Sequence, residues 1–363
     1  MGNKKIESYI DGERNFSIDL LKILSMIMVV ILHINLFGGL NKSARISDIF
    51  SFQFAVNLYE EICIVAVNVF IIISSWFLSM SKSTTIKTKR VLHLVVSMFF
   101  WYFIASLVAF GLGIKSDYKE LISSLPLVGY SYDFIAGYLL LFFVSPYINV
   151  LLERLSYKAY KNLVIGLFVL FCLLAPIIRN NYLFVNYGYS CTWFICIYVI
   201  VSFVRSYIYW QRWSWKHFLL FFLILSVLGA LARIYFPYLF VSKGYYNDPI
   251  IFLASLSCFL LFASIKIKNP IFKKIISFFV PLSVAVFFIH ANPFVEQWFV
   301  SVSFFNFINN STTMYMVYIP LLSIFVFLAC SISEYFRKKI FSVMGINSII
   351  DKISLSIDKH LTL

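Results

Sequence analysis

Ten apolar runs, each close to twenty residues long, constrain the fold of this chain more than any other feature. A helix needs about 20 mostly apolar residues to cross the hydrocarbon core of a bilayer. With 61% hydrophobic residues and a mean hydropathy of +0.88, the 363-residue chain has little sequence left for a water-facing domain. We therefore predict an all-α, polytopic integral membrane protein with about ten transmembrane helices. The runs fall near 17–37, 59–80, 91–113, 134–152, 162–178, 190–208, 217–236, 249–265, 273–293 and 314–336.

The basic residues orient these predicted spans. With ten spans, both termini and every second loop share one side of the membrane, and that side carries 22 of the 30 lysines and arginines. Cytoplasmic loops carry an excess of these residues, so both termini are predicted to be cytoplasmic. A membrane domain over 1–340 and a cytoplasmic tail over 341–363 are expected. Because the basic residues form short clusters between spans, the net charge of +14 does not indicate nucleic acid binding.

Metal and nucleotide motifs do not occur in the sequence. The six cysteines fall almost entirely inside apolar runs and show no CxxC or Cys/His spacing. No P-loop, G-x-S-x-G or HExxH pattern is present. We therefore predict no metal site and no permanently bound cofactor.

The first span is the richest in ionisable residues, which are costly inside a membrane and are functional candidates. At 3.6 residues per turn, Asp19, Lys22 and His33 share one stripe of the helix, with Lys22 and His33 about 16 Å apart along the axis. Two interpretations remain open. The residues form a functional stripe, or Asp19 and Lys22 are an interfacial i,i+3 pair and His33 packs against a neighbouring helix.

Further candidates lie in other spans. His290, in the outer part of the ninth span, has a depth similar to that of His33, so the two histidines can share a site as base and binder. Asn68 and Ser74 are polar residues of the second span, where such residues most often serve helix packing. Lys87, Lys89 and Arg90 form a basic cluster after that span, either a positive-inside anchor or a phosphate clamp.

Several segments resemble the membrane acyltransferase 3 family. Lys22-x10-His33 is similar to the family pattern of a basic residue, ten residues and a histidine, and Asp19-Leu-Leu-Lys22 resembles its D-x-x-[RK] start. The stretch VNVFIIISSWFLS resembles the family's second span, and Lys87-Thr-Lys-Arg90 resembles its R-x-x-R. The segments LLLFFVSPYINVLL and IKIKNPIFKKIISFFVPLSVAVFFIHANP resemble stretches of polysaccharide O-acetyltransferases, so the similarity covers nearly the whole chain in order.

The resemblance implies that an acyl group, acetyl by default, moves from cytoplasmic acyl-coenzyme A to a sugar hydroxyl in the bacterial plasma membrane. Asp19, Lys22 and His33 are then catalytic residues, with His33 acting as general base or nucleophile. Lys22, Lys87, Lys89 and Arg90 hold the donor. His290, Asn68 and Ser74 bind the acceptor, which is a glycan or lipid-linked glycan, and membrane lipid surrounds the protein.

Other functions fit some of the same features. A transporter or flippase of a lipid-linked oligosaccharide shares the helix count and the intramembrane charges. A glycan polymerase usually needs a large external loop, which this chain does not provide. A purely structural membrane protein gives no reason for Asp19, Lys22 and His33 to share a stripe.

Overall fold

Helices make up the regular structure of this chain in the computed structural model. It describes residues 14–81, 88–113, 122, 124–127, 133–178, 183–236, 245–295, 308 and 311–360, and no strand occurs among them. Each of the ten predicted apolar runs lies on a helix. The helices are α1 (Phe16–Phe37), α2 (Leu40–Ile46), α3 (Phe50–Leu78), α4 (Lys89–Gly111), α5 (Asp133–Glu153), α6 (Tyr157–Ile178), α7 (Cys191–Tyr207), α8 (Trp215–Tyr235), α9 (Pro249–Ala263), α10 (Pro270–His290), α11 (Thr312–Val343) and α12 (Ile346–His360).

Eight helices in the described ranges are long and apolar enough to cross a membrane: α1, α3, α4, α5, α6, α8, α10 and α11. The apolar helices α7 and α9 are shorter, with 17 and 15 residues. At 1.5 Å per residue, α9 is about 22 Å long, which is less than the roughly 30 Å hydrocarbon core. The chain is thus a multi-pass membrane protein, while the count of about ten spans and the cytoplasmic position of the termini remain predictions.

Local sequence determines where several helices begin. Asn15 and Asn269 accept hydrogen bonds from the first free backbone N–H groups of α1 and α10, and Asp248 does the same for α9. Pro249 and Pro270 occupy the first helical position, where no N–H donor is needed. These caps begin three of the helices at polar residues that directly precede apolar runs.

The helix α3 lies at the centre of the bundle. In its most apolar window 72% of the residues are buried, against 17% for α6. It packs against α1, α7, α8 and α9, while α1 also packs against α10 and α11. The outer helices α4, α5, α6 and α8 therefore present most of their apolar side chains to the surroundings, as expected for helices that face lipid.

An irregularity in α6 has a local cause. Residues Val169–Leu174 form a π-helical segment just before Pro176, which has no N–H and whose ring crowds the carbonyl four residues earlier. The carbonyl of Phe171 in this segment accepts a hydrogen bond from Asn247 Nδ2 at 2.8 Å. The residues just before α9 are thereby joined to α6.

The segment 346–360, within the predicted tail, forms α12 and packs against the start of α4. Asp358 accepts hydrogen bonds from the backbone N–H and the hydroxyl of Thr88, at 2.9 and 2.8 Å. Ile349 and Ile353 remain exposed on another side of α12. Such a helix, with one polar and one apolar face, suits the boundary between water and lipid.

Candidate active site

The polar residues at the start of α1 form one cluster. Asp19 accepts a hydrogen bond from Arg14 Nε at 2.7 Å and another from Lys22 Nζ at 2.9 Å. Lys22 Nζ also lies 5.9 Å from the ring centroid of Phe77 on α3. Asp19 is buried, whereas 32% of the Lys22 side chain is exposed. Asp19 therefore holds Lys22 in place and leaves part of it accessible to a ligand.

His33 and His290 meet near the other ends of α1 and α10. Their ring centroids are 4.9 Å apart and their planes are inclined by 46°. His290 Nδ1 donates a hydrogen bond to the Val286 carbonyl at 2.6 Å, so in the neutral ring its Nε2 carries the lone pair. This Nε2 and the Nδ1 of His33 are both buried and have no hydrogen-bond partner among the described residues. Buried polar atoms normally have partners, so this pair of nitrogens is suited to bind a polar group.

The two histidines meet because α1 and α10 run in the same direction. Near the start of both helices, Lys273 Nζ of α10 lies 5.2 Å from the ring centroid of Phe16 on α1. Each helix then advances 17 residues, from 16 to 33 and from 273 to 290. Helices that start at the same level therefore bring His33 and His290 to the same level.

Aromatic side chains surround the histidine pair. The ring centroid of His33 lies 5.5 Å from that of Phe37 and 6.4 Å from that of Phe287. Phe287 in turn contacts Phe134 of α5, with centroids 6.3 Å apart. In such apolar surroundings, electrostatic interactions are stronger than in water. A hydroxyl or a developing negative charge at this site would interact strongly with the imidazoles.

The predicted phosphate cluster lies at the opposite end of the bundle from the histidines. We call this end the basic end, and it is marked by Lys22, Lys89 and Lys273. Lys89 and Arg90 are exposed at the start of α4. Lys89 Nζ lies 2.7 Å from Asp351 Oδ2 of α12, and His93 Nε2 lies 3.0 Å from Oδ1 of the same carboxylate. Hydrogen bonds from Lys89 and His93 hold the pKa of Asp351 below its usual value. Lys87 lies outside the described residues.

The structure separates the three residues predicted to bind the acceptor. His290 lies beside His33. Ser74 lies on α3, one turn before Phe77, the residue beside Lys22. Its hydroxyl donates to the Phe70 carbonyl at 2.9 Å. Asn68 is fully buried between helices. Its Nδ2 donates to the Tyr246 carbonyl at 2.7 Å, and its Oδ1 accepts from Trp193 Nε1 at 3.0 Å. Asn68 thus joins α3 to α7 and to the residues before α9.

Sequence reasoning missed two buried ion pairs. Glu61 of α3 pairs with Arg233 of α8, and their side chains are 3% and 10% exposed. Glu334 of α11 pairs with Arg337 at 2.6 Å and accepts a hydrogen bond from Trp101 Nε1 at 2.8 Å. The sequence does contain a signal for them, since Glu61, Arg233 and Glu334 lie inside predicted apolar runs. Charged residues there are costly unless they are paired. Arg337 follows Glu334 by three positions on one helix, so that pairing is a local pattern. The partner of Glu61 could not be identified from the sequence, since Arg233 is 172 positions away.

The site therefore has two parts on one helix. Lys22 lies at the basic end, and His33 lies three turns further, about 16 Å along the axis. The first part offers positive charge to an anion, and the second offers two imidazoles for proton transfer or covalent catalysis. In the described part of the chain, no group of three or more His, Cys, Asp or Glu side chains is arranged to hold a metal ion.

Comparison with known proteins identifies the family of the chain. No curated protein and no solved structure matches the chain significantly. The family model described as an acyltransferase domain, that of the acyltransferase 3 family, matches residues 15–335. The matched range includes α1 with Asp19, Lys22 and His33, and it also includes α10 with His290. Because the match covers most of its length, the chain belongs to the acyltransferase 3 family and is a membrane acyltransferase.

Proposed function

We propose that this protein transfers an acyl group, acetyl by default, from cytoplasmic acyl-coenzyme A to a hydroxyl of a cell-envelope or extracellular polysaccharide. We place it in the plasma membrane of a bacterium. The observation that carries the proposal is the histidine pair. Its ring centroids are 4.9 Å apart, and each ring has one buried nitrogen without a hydrogen-bond partner in the part of the chain that the structure describes. A sugar hydroxyl both donates and accepts hydrogen bonds, and it would satisfy these nitrogens.

The reaction is a transfer between a thioester and an alcohol. As the hydroxyl oxygen attacks the thioester carbonyl, His33 accepts its proton. A C–O bond forms, the C–S bond breaks, and the coenzyme A thiolate leaves and takes up a proton. In the alternative, His33 attacks first and carries the acyl group to the hydroxyl. In both routes His290 Nε2 is available to orient the acceptor, because its Nδ1 is bound to Val286.

Positive charge at the basic end supports an anionic donor. The nucleotide end of coenzyme A carries several phosphate charges, which suit Lys87, Lys89 and Arg90. Its long, thin pantetheine arm then reaches inward past Lys22 toward His33. Met26 and Val29 lie between these two residues on α1 and are buried. Entry of the arm along this stripe therefore requires packed side chains to move apart.

The test is mass spectrometry of the surface glycan from cells that make the wild-type protein, no protein, or the His33→Ala variant. We expect a base-labile ester mass in wild-type cells only, and the mass increment identifies the acyl group. His217→Ala is the matched control, since its imidazole contacts Ser214 outside the site, at 2.9 Å. Equal amounts of monodisperse protein in detergent show that both variants fold.

Two results would count against the proposal. A His33→Ala protein that still esterifies the glycan would remove His33 from the chemistry. Loss or internal accumulation of the glycan, without loss of an ester, would instead identify a transporter of lipid-linked oligosaccharide. A His33→Gln variant separates these cases further, because a transporter should tolerate this change whereas proton transfer should not.

A further inference from the structure

A cleft opens between α10 and α11 at the basic end of the bundle. Its volume is about 360 Å³. Part of its wall comes from the middle of α10 and the rest from the last turns of α11. Two adjacent lysines, Lys338 and Lys339, contribute the positive charge of this wall. The lining residues are Ser277, Phe278, Pro281, Leu282, Tyr335, Lys338, Lys339 and Ser342.

The lysines of the cleft form no ion pair in the described part of the chain. Lys338 Nζ donates a hydrogen bond to the Pro281 carbonyl at 2.5 Å, and Lys339 Nζ lies 4.9 Å from the ring centroid of Tyr335. The carboxylate nearest in sequence, Glu334, is already bound by two nitrogens of Arg337, at 2.7 and 2.6 Å. Within the described residues the two ammonium groups therefore have no carboxylate partner and are available to an external anion.

The surface beside these lysines is apolar and exposed. Phe278 of α10 is 46% exposed, and Ile332 and Phe336 of α11 are 51% and 57% exposed. Both helices are long and apolar enough to cross a membrane. We therefore expect their exposed apolar side chains to face lipid tails. The cleft thus combines an apolar strip with two ammonium groups at its end.

The cleft is separate from the candidate active site. At 100° per residue, the cleft residues Ser277, Phe278 and Pro281 lie roughly opposite His290 on α10. Ile276 and Val286, on the face shared with His290, are buried in the bundle. A molecule in the cleft therefore does not occupy the path from Lys22 to His33.

We propose that this cleft binds an anionic phospholipid, with the phosphate group at Lys338 and Lys339 and the acyl chains along Phe278, Ile332 and Phe336. Basic pockets between transmembrane helices bind such headgroups. Long-range attraction between lysines and anionic lipid would act equally on any exposed lysine pair, so binding in the cleft must depend on this particular pair. Tyr335, Ser277 and Ser342 supply hydroxyl donors for the phosphate and headgroup oxygens. Coenzyme A also carries phosphates, but it has no acyl chains that match the apolar strip.

The test is native mass spectrometry of the full-length protein in detergent, titrated with phosphatidylglycerol or phosphatidylcholine. We expect one tightly bound phosphatidylglycerol in the wild type, and a roughly 25-fold weaker affinity in the Lys338→Gln, Lys339→Gln double variant. Lys158→Gln with Lys161→Gln is the matched control, because it removes the same charge from exposed positions on α6. This control and the Lys338→Arg, Lys339→Arg variant should bind as the wild type does.

Three results would overturn the proposal. Unchanged binding by the double glutamine variant would show that the cleft is not the site. An equal loss in the Lys158 and Lys161 control would show general charge attraction. Equal occupancy by glycerol phosphate at the same concentration would identify a phosphate site that does not recognise lipid.

Discussion

Replacing Gly229 by alanine should destabilise the protein through the ion pair of Glu61 and Arg233. A Cβ atom at position 229 of α8 would lie 2.7 Å from Glu61 Cδ, closer than such atoms approach, and 3.0 Å from Glu61 Cγ, which is a tight contact. Glu61 is buried on α3 and cannot turn outward without leaving Arg233. The missing side chain of Gly229 therefore makes the space that the ion pair occupies.

The expected loss follows from breaking a buried charge pair. Separating one partner leaves an uncompensated buried charge, which costs about 3–5 kcal/mol. Alanine has a higher helix propensity than glycine by up to about 1 kcal/mol, so this gain cannot offset the loss. We therefore expect Gly229→Ala to lower stability by roughly 2–4 kcal/mol.

The matched control is Gly166→Ala on α6. A Cβ atom there would meet nothing within 4 Å, so the variant should be as stable as the wild type or slightly more stable. The assay is unfolding of both purified variants in detergent, followed by tryptophan fluorescence against denaturant concentration. A Gly229→Ala protein as stable as the Gly166→Ala protein would refute the packing argument, whether both keep the wild-type stability or both lose the same amount.

Two further predictions concern contacts between helices. Asn68→Ala leaves Trp193 Nε1 without its acceptor and should cost about 1–3 kcal/mol in the same unfolding assay. Ser323→Ala, which removes a buried bond within one helix, should cost much less, and similar losses would contradict this distinction. Lys89 and His93 lower the pKa of Asp351. At a pH above the ordinary aspartate pKa of about 3.9, the ionised carboxylate therefore stabilises the docking of α12. This contribution is lost as the pH falls below that value. Amide protection in 346–360, corrected for the intrinsic exchange rate at each pH, should therefore fall below about pH 4 in the wild type, whereas in Asp351→Asn it should already be lower at neutral pH.

The helices were predictable because membrane insertion depends on local apolar length. The predicted run 249–265 and the observed α9, Pro249–Ala263, differ by two residues at one end. The error is larger at the start of α3. The run predicted from 59 begins at Phe50 in the structure, because Ser51, Gln53 and Asn57 make this stretch less apolar without ending the helix.

The candidate site was predictable only in part. The spacing of Asp19, Lys22 and His33 lies within one helix, and helix geometry alone aligns them. The depth of His290 could be read from the ninth span, but its hydrogen bond to Val286 and its distance from His33 depend on how α1 and α10 pack. The contacts of Asn68 with Trp193 and Tyr246 join segments 125 and 178 positions away, which local patterns do not encode.

The parallel packing of α1 and α10 has a consequence for the synthesis of the protein. The ribosome makes His33 among the first residues and His290 more than two hundred residues later. After α1 has been inserted, His33 therefore has no His290 beside it until nearly all of the chain has been inserted. A nascent or prematurely terminated chain that ends before α10 lacks the second imidazole. Under the proposed mechanism the site is therefore complete only after α10 has been inserted, and incomplete copies lack the assembled histidine pair.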